Sequence, residues 1–160
     1  MSPKVPRHAG TPWLVAGGLL SFFAAVLHLV VIAGGPEWYR FFGAGEDLAQ
    51  AAERGAWMPA IVTSAIAAIL ALWGVIALSG AGRLRRLRML PAALVAIAAI
   101  YLARGLLLLP LALLKPELVG AFEVWSSLIV LGYGLTYAIG TAKGWRVLRV
   151  SGGHRTRPSV

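Results

Sequence analysis

Arg104 is the residue whose chemistry is hardest to explain as simple packing, because it stands inside a long apolar run from Leu90 to Leu114. A guanidinium stays charged under physiological conditions, so in hydrocarbon it requires an anionic or hydrogen-bonding partner. A central arginine costs a transmembrane helix ~2.5–3.5 kcal/mol on insertion scales, and such residues usually serve a function. We interpret Arg104 either as the anchor for an anionic ligand or as half of a structural ion pair.

Glu123 is the acidic residue best placed to pair with Arg104, since it lies near the start of the fourth apolar segment. Helical side chains lean toward the N-terminus of their own helix, and this lean moves the two side chains apart. Because an acid in the first turn also stabilises the start of a helix, we favour a capping role for Glu123. The carbonyl of Leu106, which Pro110 deprives of its helical donor, is a second acceptor for Arg104.

His28 is the one histidine of three that lies within an apolar segment. Imidazole can relay protons, ligate haem or hydrogen-bond within a helical core. A bis-histidine haem needs a second histidine at membrane depth, and Met58, the alternative axial ligand, stands too near the end of its segment. We therefore predict no cofactor and no metal, and we favour a hydrogen-bonding core role for His28 over a proton relay.

Tyr101, Ser64 and Ser127 supply further polar groups. Tyr101 precedes Arg104 by three residues, so the two are neighbours on one side of a helix. At about 1.5 Å per residue, the histidine and both serines lie ~9–11 Å below the outer ends of their segments, and Arg104 lies ~14 Å below. These depths predict a polar layer in the outer half. A serine activated by histidine would suit acyl transfer, but no local motif orients such a site.

Four apolar segments must position these residues. The chain has 160 residues, is 59% hydrophobic and has a mean hydropathy of +0.78, which is too apolar for the small interior of a soluble domain. Each segment is long enough to cross a bilayer as a helix. The sequence predicts an all-α integral membrane protein, an antiparallel bundle of four transmembrane helices at about 13–34, 57–79, 89–114 and 121–141.

Charged residues sort to opposite sides of these helices. Basic residues without acids occupy the tail 1–12, the connection 80–88 and the tail 143–160, whereas all six acids lie in or beside the other connections. Because cytoplasmic segments are enriched in lysine and arginine, we predict that both termini are cytoplasmic, in a bacterial inner membrane. The net charge of +9 then indicates contact with anionic headgroups on that side, and nucleic acid is not an expected partner.

The segments outside the four spans have patterns of their own. Pro36 and Glu37 suit the start of a short helix, and residues 46–54 predict a second, so a helical cap is expected on the outer side. In the C-terminal tail, alternation of apolar residues and arginine up to Val150 predicts a short interfacial helix, followed by a disordered end. We retain the first span as a membrane helix, although residues 31–33 resemble a signal-peptidase site.

Small residues recur at helical spacing in each span and predict the faces that pack together. The four stripes are Gly17, Ser21 and Ala25; Ala60, Ser64, Ala67, Ala71 and Gly74; Ala92, Ala96, Ala99 and Ala103; and Ser127, Gly134, Ala138 and Thr141. This pattern places His28 and Ser64 on inward faces of the predicted bundle.

The absence of cysteine excludes disulfides, thiolate metal sites and thiol nucleophiles. The leading hypothesis is a protein that binds or transports an amphipathic, anionic small molecule or lipid in a polar pocket in the outer half. Its predicted ligand-binding residues are Arg104, His28, Tyr101, Glu123, Ser64 and Ser127. Two alternatives stay open: a structural or accessory subunit of a membrane complex, and an intramembrane enzyme using the same residues. A homodimer is compatible with all three.

Overall fold

The structure is a computed structural model that describes residues 4–150. Within this part, four helices are long and apolar enough to cross a membrane, as the sequence predicts. Two short helices follow the first of them, and a break divides the third. The helices are α1 Thr11–Gly34, α2 Pro36–Phe41, α3 Glu46–Glu53, α4 Met58–Gly80, α5 Leu90–Leu106, α6 Leu108–Leu114 and α7 Ala121–Val150, with a 3₁₀ turn at Pro116–Leu118.

Pro110 explains the division of the third long helix. It has no N–H group, so the carbonyl of Leu106 loses its helical donor and α5 ends at that residue. Backbone hydrogen bonds from Leu107 N to Ala103 O (3.0 Å) and from Leu111 N to Leu107 O (3.2 Å) continue on either side of the break. The two segments therefore form one interrupted helix, and together they have the length of a span.

The fourth long helix extends beyond its predicted end. α7 runs without a break to Val150 and is ~45 Å long at about 1.5 Å per residue, which exceeds the ~30 Å of a hydrocarbon core. Its last turns carry the basic residues of 143–150 on the same helix as the apolar segment. A continuous helix thus replaces the separate interfacial helix predicted for this stretch. The disorder predicted after Val150 falls outside the described residues.

The long helices pack as two pairs. α1 lies along α4 and α5 lies along α7, while α1 also packs against α7. At one end, His8 Nε2 donates to the carbonyl of Gly80 (3.0 Å), and His8 Nδ1 accepts from Gly10 N (3.1 Å). Arg86 Nη2 donates to the carbonyl of Leu148 at the same end. We call this the basic end, and the end that carries α2 and α3 the acidic end.

The two short helices predicted after the first span are present as α2 and α3. Tyr39 of α2 is buried with Val31 and Ala49, so these helices pack on the end of α1. Gly43, between them, has a φ of 63° and lies against the ring of Phe122, where a β-carbon would collide with that ring. The cap therefore contacts the start of α7 as well as the end of α1.

Arg40 links α2 to α3 through three carboxylates. Its guanidinium nitrogens lie 2.8 Å from Glu37, 2.9 Å from Glu46 and 2.7 Å from Glu53. The hydrogen bond from Arg40 lowers the pKa of Glu46 below its ordinary value. The group lies at the surface, so solvent weakens each pair, but four charges in one network hold the two helices in register.

Arg40 lowers the pKa of Glu46 in the folded chain. Their contact therefore stabilises the fold at a pH above the usual glutamate pKa, and this stabilisation is lost as the pH falls through the lowered pKa. Acidification should therefore loosen α3. Hydrogen exchange of residues 46–53, corrected for intrinsic rates, should accelerate between about pH 5 and pH 3. In Arg40→Gln, exchange should already be fast at neutral pH and change little on acidification. Equal acid sensitivity in the two proteins would contradict this role of Arg40.

The predicted packing stripes differ in whether the structure buries them. The stripe of α1 is buried as predicted, but that of the third span is wrong, since Ala92, Ala96, Ala99 and Ala103 are all exposed. α5 instead buries larger side chains, among them Leu94, Ile97 and Tyr101. The reason is that the close approach is made at one glycine on each helix, Gly105 of α5 and Gly134 of α7, and not at the alanines.

α5 and α7 approach most tightly at glycine. A β-carbon on Gly134 would lie 2.8 Å from the side chain and 2.9 Å from the backbone nitrogen of Leu102, and one on Gly105 would lie 3.0 Å from the backbone of Leu131. Backbone atoms cannot move aside as the end of a flexible side chain can. Gly132, on the same helix, has open space where its β-carbon would stand.

Gly134→Ala should therefore destabilise the protein by about 1–3 kcal/mol, because the added methyl group overpacks the contact between α5 and α7. Gly132→Ala is the matched control. It should be neutral or stabilising, since alanine favours a helix over glycine. Unfolding of the purified proteins in detergent micelles measures both changes, and an equal loss in the two variants would refute the close approach.

Candidate functional site

The six predicted ligand-binding residues take up separate roles in the structure. His28 is half-buried and lies about two turns from Ser21 on the same side of α1. Its Nδ1 lies 2.7 Å from the carbonyl oxygen of Ala24. Because a carbonyl only accepts, Nδ1 must donate, and Nε2 of the neutral ring is then an acceptor. His28 thus hydrogen-bonds within its own helix.

Ser64 lies on the side of α4 that faces away from the other predicted residues. Its side chain is exposed, which corrects the inward orientation predicted from the small-residue stripe. Trp73 of α4 contacts Tyr101 of α5, and Ser64 precedes Trp73 by nine residues, or ~180° of helix rotation. The neighbouring Thr63, with 6% of its surface exposed, is the buried hydroxyl residue of this turn.

Glu123 caps α7. Its Oε2 accepts a hydrogen bond from Gly120 N at 2.9 Å, next to the first turn of the helix. Within the part that the structure describes, it forms no ion pair with Arg104, and the capping role favoured from the sequence is the contact observed. Ser127 is buried one turn further along α7.

Arg104 is exposed and has no hydrogen bond or ion pair with any residue in 4–150. Along the interrupted helix it lies ~21 Å from Leu90 and ~15 Å from Leu114, so its Cα lies near the middle of the apolar segment. Its exposed neighbours on α5 include Ile100 and Ala103. The charge therefore faces the surroundings of the helices rather than an internal partner.

Tyr101 belongs to a buried network that joins all four long helices. Its hydroxyl lies 3.1 Å from Ser21 Oγ of α1, which lies 2.8 Å from the hydroxyl of Tyr137 on α7. The hydroxyl of Tyr137 in turn lies 3.0 Å from the carbonyl oxygen of Trp73 on α4. Ser21 and Tyr137 have no exposed surface, and Tyr101 has 5%.

The acceptor at the end of this network fixes the direction of every hydrogen bond. The carbonyl of Trp73 can only accept, so Tyr137 donates to it. Ser21 must then donate to Tyr137, and Tyr101 donates to Ser21. Each hydroxyl donates once, in one direction, and such chains strengthen one another in a medium of low dielectric constant.

Aromatic rings close the interior around these hydroxyls. The ring of Tyr101 meets Trp73 edge-on at 4.9 Å between centroids and meets Tyr133 at 5.6 Å. The ring of Tyr137 lies 5.6 Å away on another side. This packed layer fills the space between the long helices at its depth, which argues against a path for solutes through the centre of a single chain.

The hydrogen-bond network could not be predicted from the sequence, although some of its residues are visible there as polar groups. Ser21 lies in the first small-residue stripe, and a tyrosine at each of positions 101 and 137 is a visible polar group in an apolar helix. No periodicity reveals that these hydroxyls meet, because the contacts join residues 80 and 116 positions apart.

Comparison of the chain with protein-family models, curated proteins and solved structures yields no match. Function is therefore inferred from the chemistry of the residues themselves.

Tyr137→Phe should destabilise the protein by about 1–3 kcal/mol, because it removes the donor to Trp73 O and leaves buried polar groups without a partner. Tyr133→Phe is the matched control, since this tyrosine shares the aromatic layer but its hydroxyl makes no hydrogen bond within the described residues. Thermal unfolding in micelles compares the two. Similar melting temperatures for both variants would show that the hydroxyl chain contributes nothing.

Proposed function

We propose that this protein is a subunit of a membrane complex and that Arg104 binds an acidic side chain on a transmembrane helix of a partner protein. The observation that carries the proposal is that Arg104 is exposed, central in its apolar helix and without a partner in residues 4–150. An unpaired charge at such a depth is costly, and an acid supplied by another chain would offset that cost.

Depth favours a protein acid over a lipid headgroup. Arg104 lies ~15 Å from Leu114 along the helix, and its side chain leans toward the helix N-terminus, away from that nearer end. Headgroups begin about 15 Å from the bilayer centre, so neither leaflet brings phosphate close to the guanidinium without deforming. A carboxylate on a neighbouring helix can stand at any depth.

A second copy of the chain offers no matching acid. Its six acids lie in or next to the connections, and the deepest, Glu123, stands in the first turn of α7 and is engaged with Gly120. The Cα atoms of Glu123 and Arg104 differ in depth by ~10 Å or more. We therefore propose a different protein as the partner rather than a homodimer.

The exposed side of α5 suits a close helix contact. Ala96 and Ala103, which line no groove, are exposed on α5 near Arg104, and small residues let transmembrane helices approach within reach of a side-chain pair. A partner helix laid along this side would bury the alanines and bring its acid to the guanidinium.

The predicted topology forms part of this proposal. Nine lysines and arginines of residues 4–150 lie in the segments of the basic end, and this distribution supports a bundle whose basic end, with both termini, faces the cytoplasm of a bacterial inner membrane. The acidic end and its cap would then face outward.

Binding of an anionic amphiphile, the function first expected from the sequence, is the second candidate. The exposure of Arg104 supports it, because a lipid-soluble anion could approach from the membrane without entering the closed interior. The polar site would then be a surface around Arg104, and His28, on a different helix, would stand outside it. Catalysis is not proposed, since no hydrogen bond joins His28 to Ser64 or Ser127 in the described residues.

A photoreactive residue at Ile100, which is 51% exposed and one turn from Arg104, should crosslink to one specific protein in native membranes. Arg104→Gln should reduce that crosslink by about tenfold or more, because removing one member of a buried charge pair leaves the other uncompensated. Arg104→Lys should retain part of it. Charge reversal in both partners, Arg104→Glu with the partner's acid changed to arginine, should restore it.

Two controls separate the outcomes. The photoreactive residue at Phe23, exposed on α1, should not capture the same protein, and Arg54→Gln, at an exposed arginine outside the spans, should leave the Ile100 crosslink intact. Arg104→Gln should also keep the melting temperature of the isolated chain, since Arg104 has no partner among residues 4–150. A crosslink that survives Arg104→Gln refutes the proposal, and capture of small amphiphiles alone favours the second candidate.

A further inference from the structure

An open groove runs along the joint between α5 and α7 toward the basic end. It has a volume of about 560 Å³, and half of its eight lining residues are alanines, Ala98 and Ala99 on α5 and Ala138 and Ala142 on α7. Trp145 stands at its end nearest the basic residues. The lining is mostly apolar and the groove is open to the surroundings of the helices, so a hydrocarbon chain could lie in it along the helices.

A second groove, of about 530 Å³, continues from Trp145 past two arginines. Arg86 comes from the connection between α4 and α5, and Arg149 comes from the last turn of α7. Arg149 lies 5.4 Å from the centroid of the Trp145 ring, so a cation–π contact holds it beside the junction of the two grooves. The apolar groove thus opens onto a pair of positive charges.

Two polar groups along this path have no partner within residues 4–150. Arg86 donates through Nη2 to the carbonyl of Leu148, but its Nη1 is buried without a hydrogen bond. Thr141, a residue of the apolar groove with 4% of its surface exposed, has an unpaired Oγ1. Both atoms are buried donors that the described residues leave unsatisfied, and each has almost no accessible surface of its own.

We propose that this path is a binding site for one anionic phospholipid of the leaflet at the basic end. Its phosphate would bind Arg86 and Arg149, and one acyl chain would lie in the alanine groove. Charge complementarity selects an anionic headgroup, because the two arginines face the site and no acid of the described residues lies at the basic end.

Length supports a lipid rather than a free anion. From Pro91 to Leu102, the residues of α5 that line the two grooves span ~16 Å, about half of a ~30 Å hydrocarbon core. A site for phosphate alone would need only the arginines. The apolar part matches a single acyl chain in a single leaflet, and Trp145 at the junction matches the usual place of tryptophan at the membrane boundary.

Quenching of Trp145 fluorescence tests the site. The full chain is reconstituted in vesicles of ordinary phosphatidylcholine. Increasing amounts of a lipid with brominated acyl chains are included, either brominated phosphatidylglycerol or brominated phosphatidylcholine. The Trp145 signal is the difference between each protein and its Trp145→Phe counterpart. Brominated phosphatidylglycerol should quench this signal at a mole fraction lower by about tenfold than brominated phosphatidylcholine, since two arginines attract its headgroup.

A matched pair of double variants separates the site from general attraction. Arg86→Gln with Arg149→Gln should abolish the preference, whereas Arg83→Gln with Arg146→Gln removes the same charge at the same end and should keep it. Arg83 and Arg146 are exposed and line neither groove. Equal loss in both double variants would mean a diffuse attraction to the surface and would overturn the proposal.

Filling the groove tests the acyl chain independently. Ala142→Leu leaves every charge in place and adds bulk at an exposed wall of the groove, so quenching by both brominated lipids should fall. Unchanged quenching in this variant, or an absence of preference for phosphatidylglycerol in the parent protein, would overturn the proposal. Arg104→Gln should leave the lipid preference intact, which keeps this result separate from the partner proposed at Arg104.

Discussion

The hydrogen-bond chain that runs from Tyr101 through Ser21 and Tyr137 to the carbonyl of Trp73 is the constraint on which the arrangement of the helices depends. Each of the four long helices contributes one group to it. Lipid tails are as apolar as leucine, so burial of apolar surface gives little preference for one arrangement of membrane helices over another. A directional chain of hydrogen bonds does favour one arrangement, because turning or sliding any one helix leaves a buried polar group without its hydrogen bond.

That network also decides where polar chemistry can occur. With tyrosine rings filling the interior, an additional charge has no room at the centre, and Arg104 lies one turn beyond Tyr101 but ~60° further round α5. At that angle the side chain is exposed. The interior at this depth is therefore filled by structural side chains, and Arg104 lies on the outer surface of the helices.

Hydropathy and helix-start signals were enough to predict the elements. The four long helices fall within a few residues of their predicted starts, and Pro36 with Glu37 opens the predicted α2. What could not be predicted is how each helix is rotated about its axis. Leucine and alanine pack equally well against lipid and against protein, so the alanine stripe of α5 does not indicate which side faces α7. Gly134 of α7, which packs against Leu102 of α5, lies far from it in sequence. The positions of Arg104 and Tyr101 along their helix follow from the sequence, whereas the side of the helix on which each lies does not.

The residues on the surface of α5 change along the helix, and with them the kind of molecule that could pack against it. One side packs on α7 through large residues and is complete within the chain. Near the middle of its apolar segment, a charge faces outward, where hydrocarbon would offer it no counter-ion. Toward the basic end, the joint with α7 widens into a groove that ends at arginines, where headgroup phosphate is abundant. The two proposed occupants differ because the bilayer itself changes along a helix: hydrocarbon would supply no anion to Arg104, whereas the headgroup boundary would supply phosphate to Arg86 and Arg149.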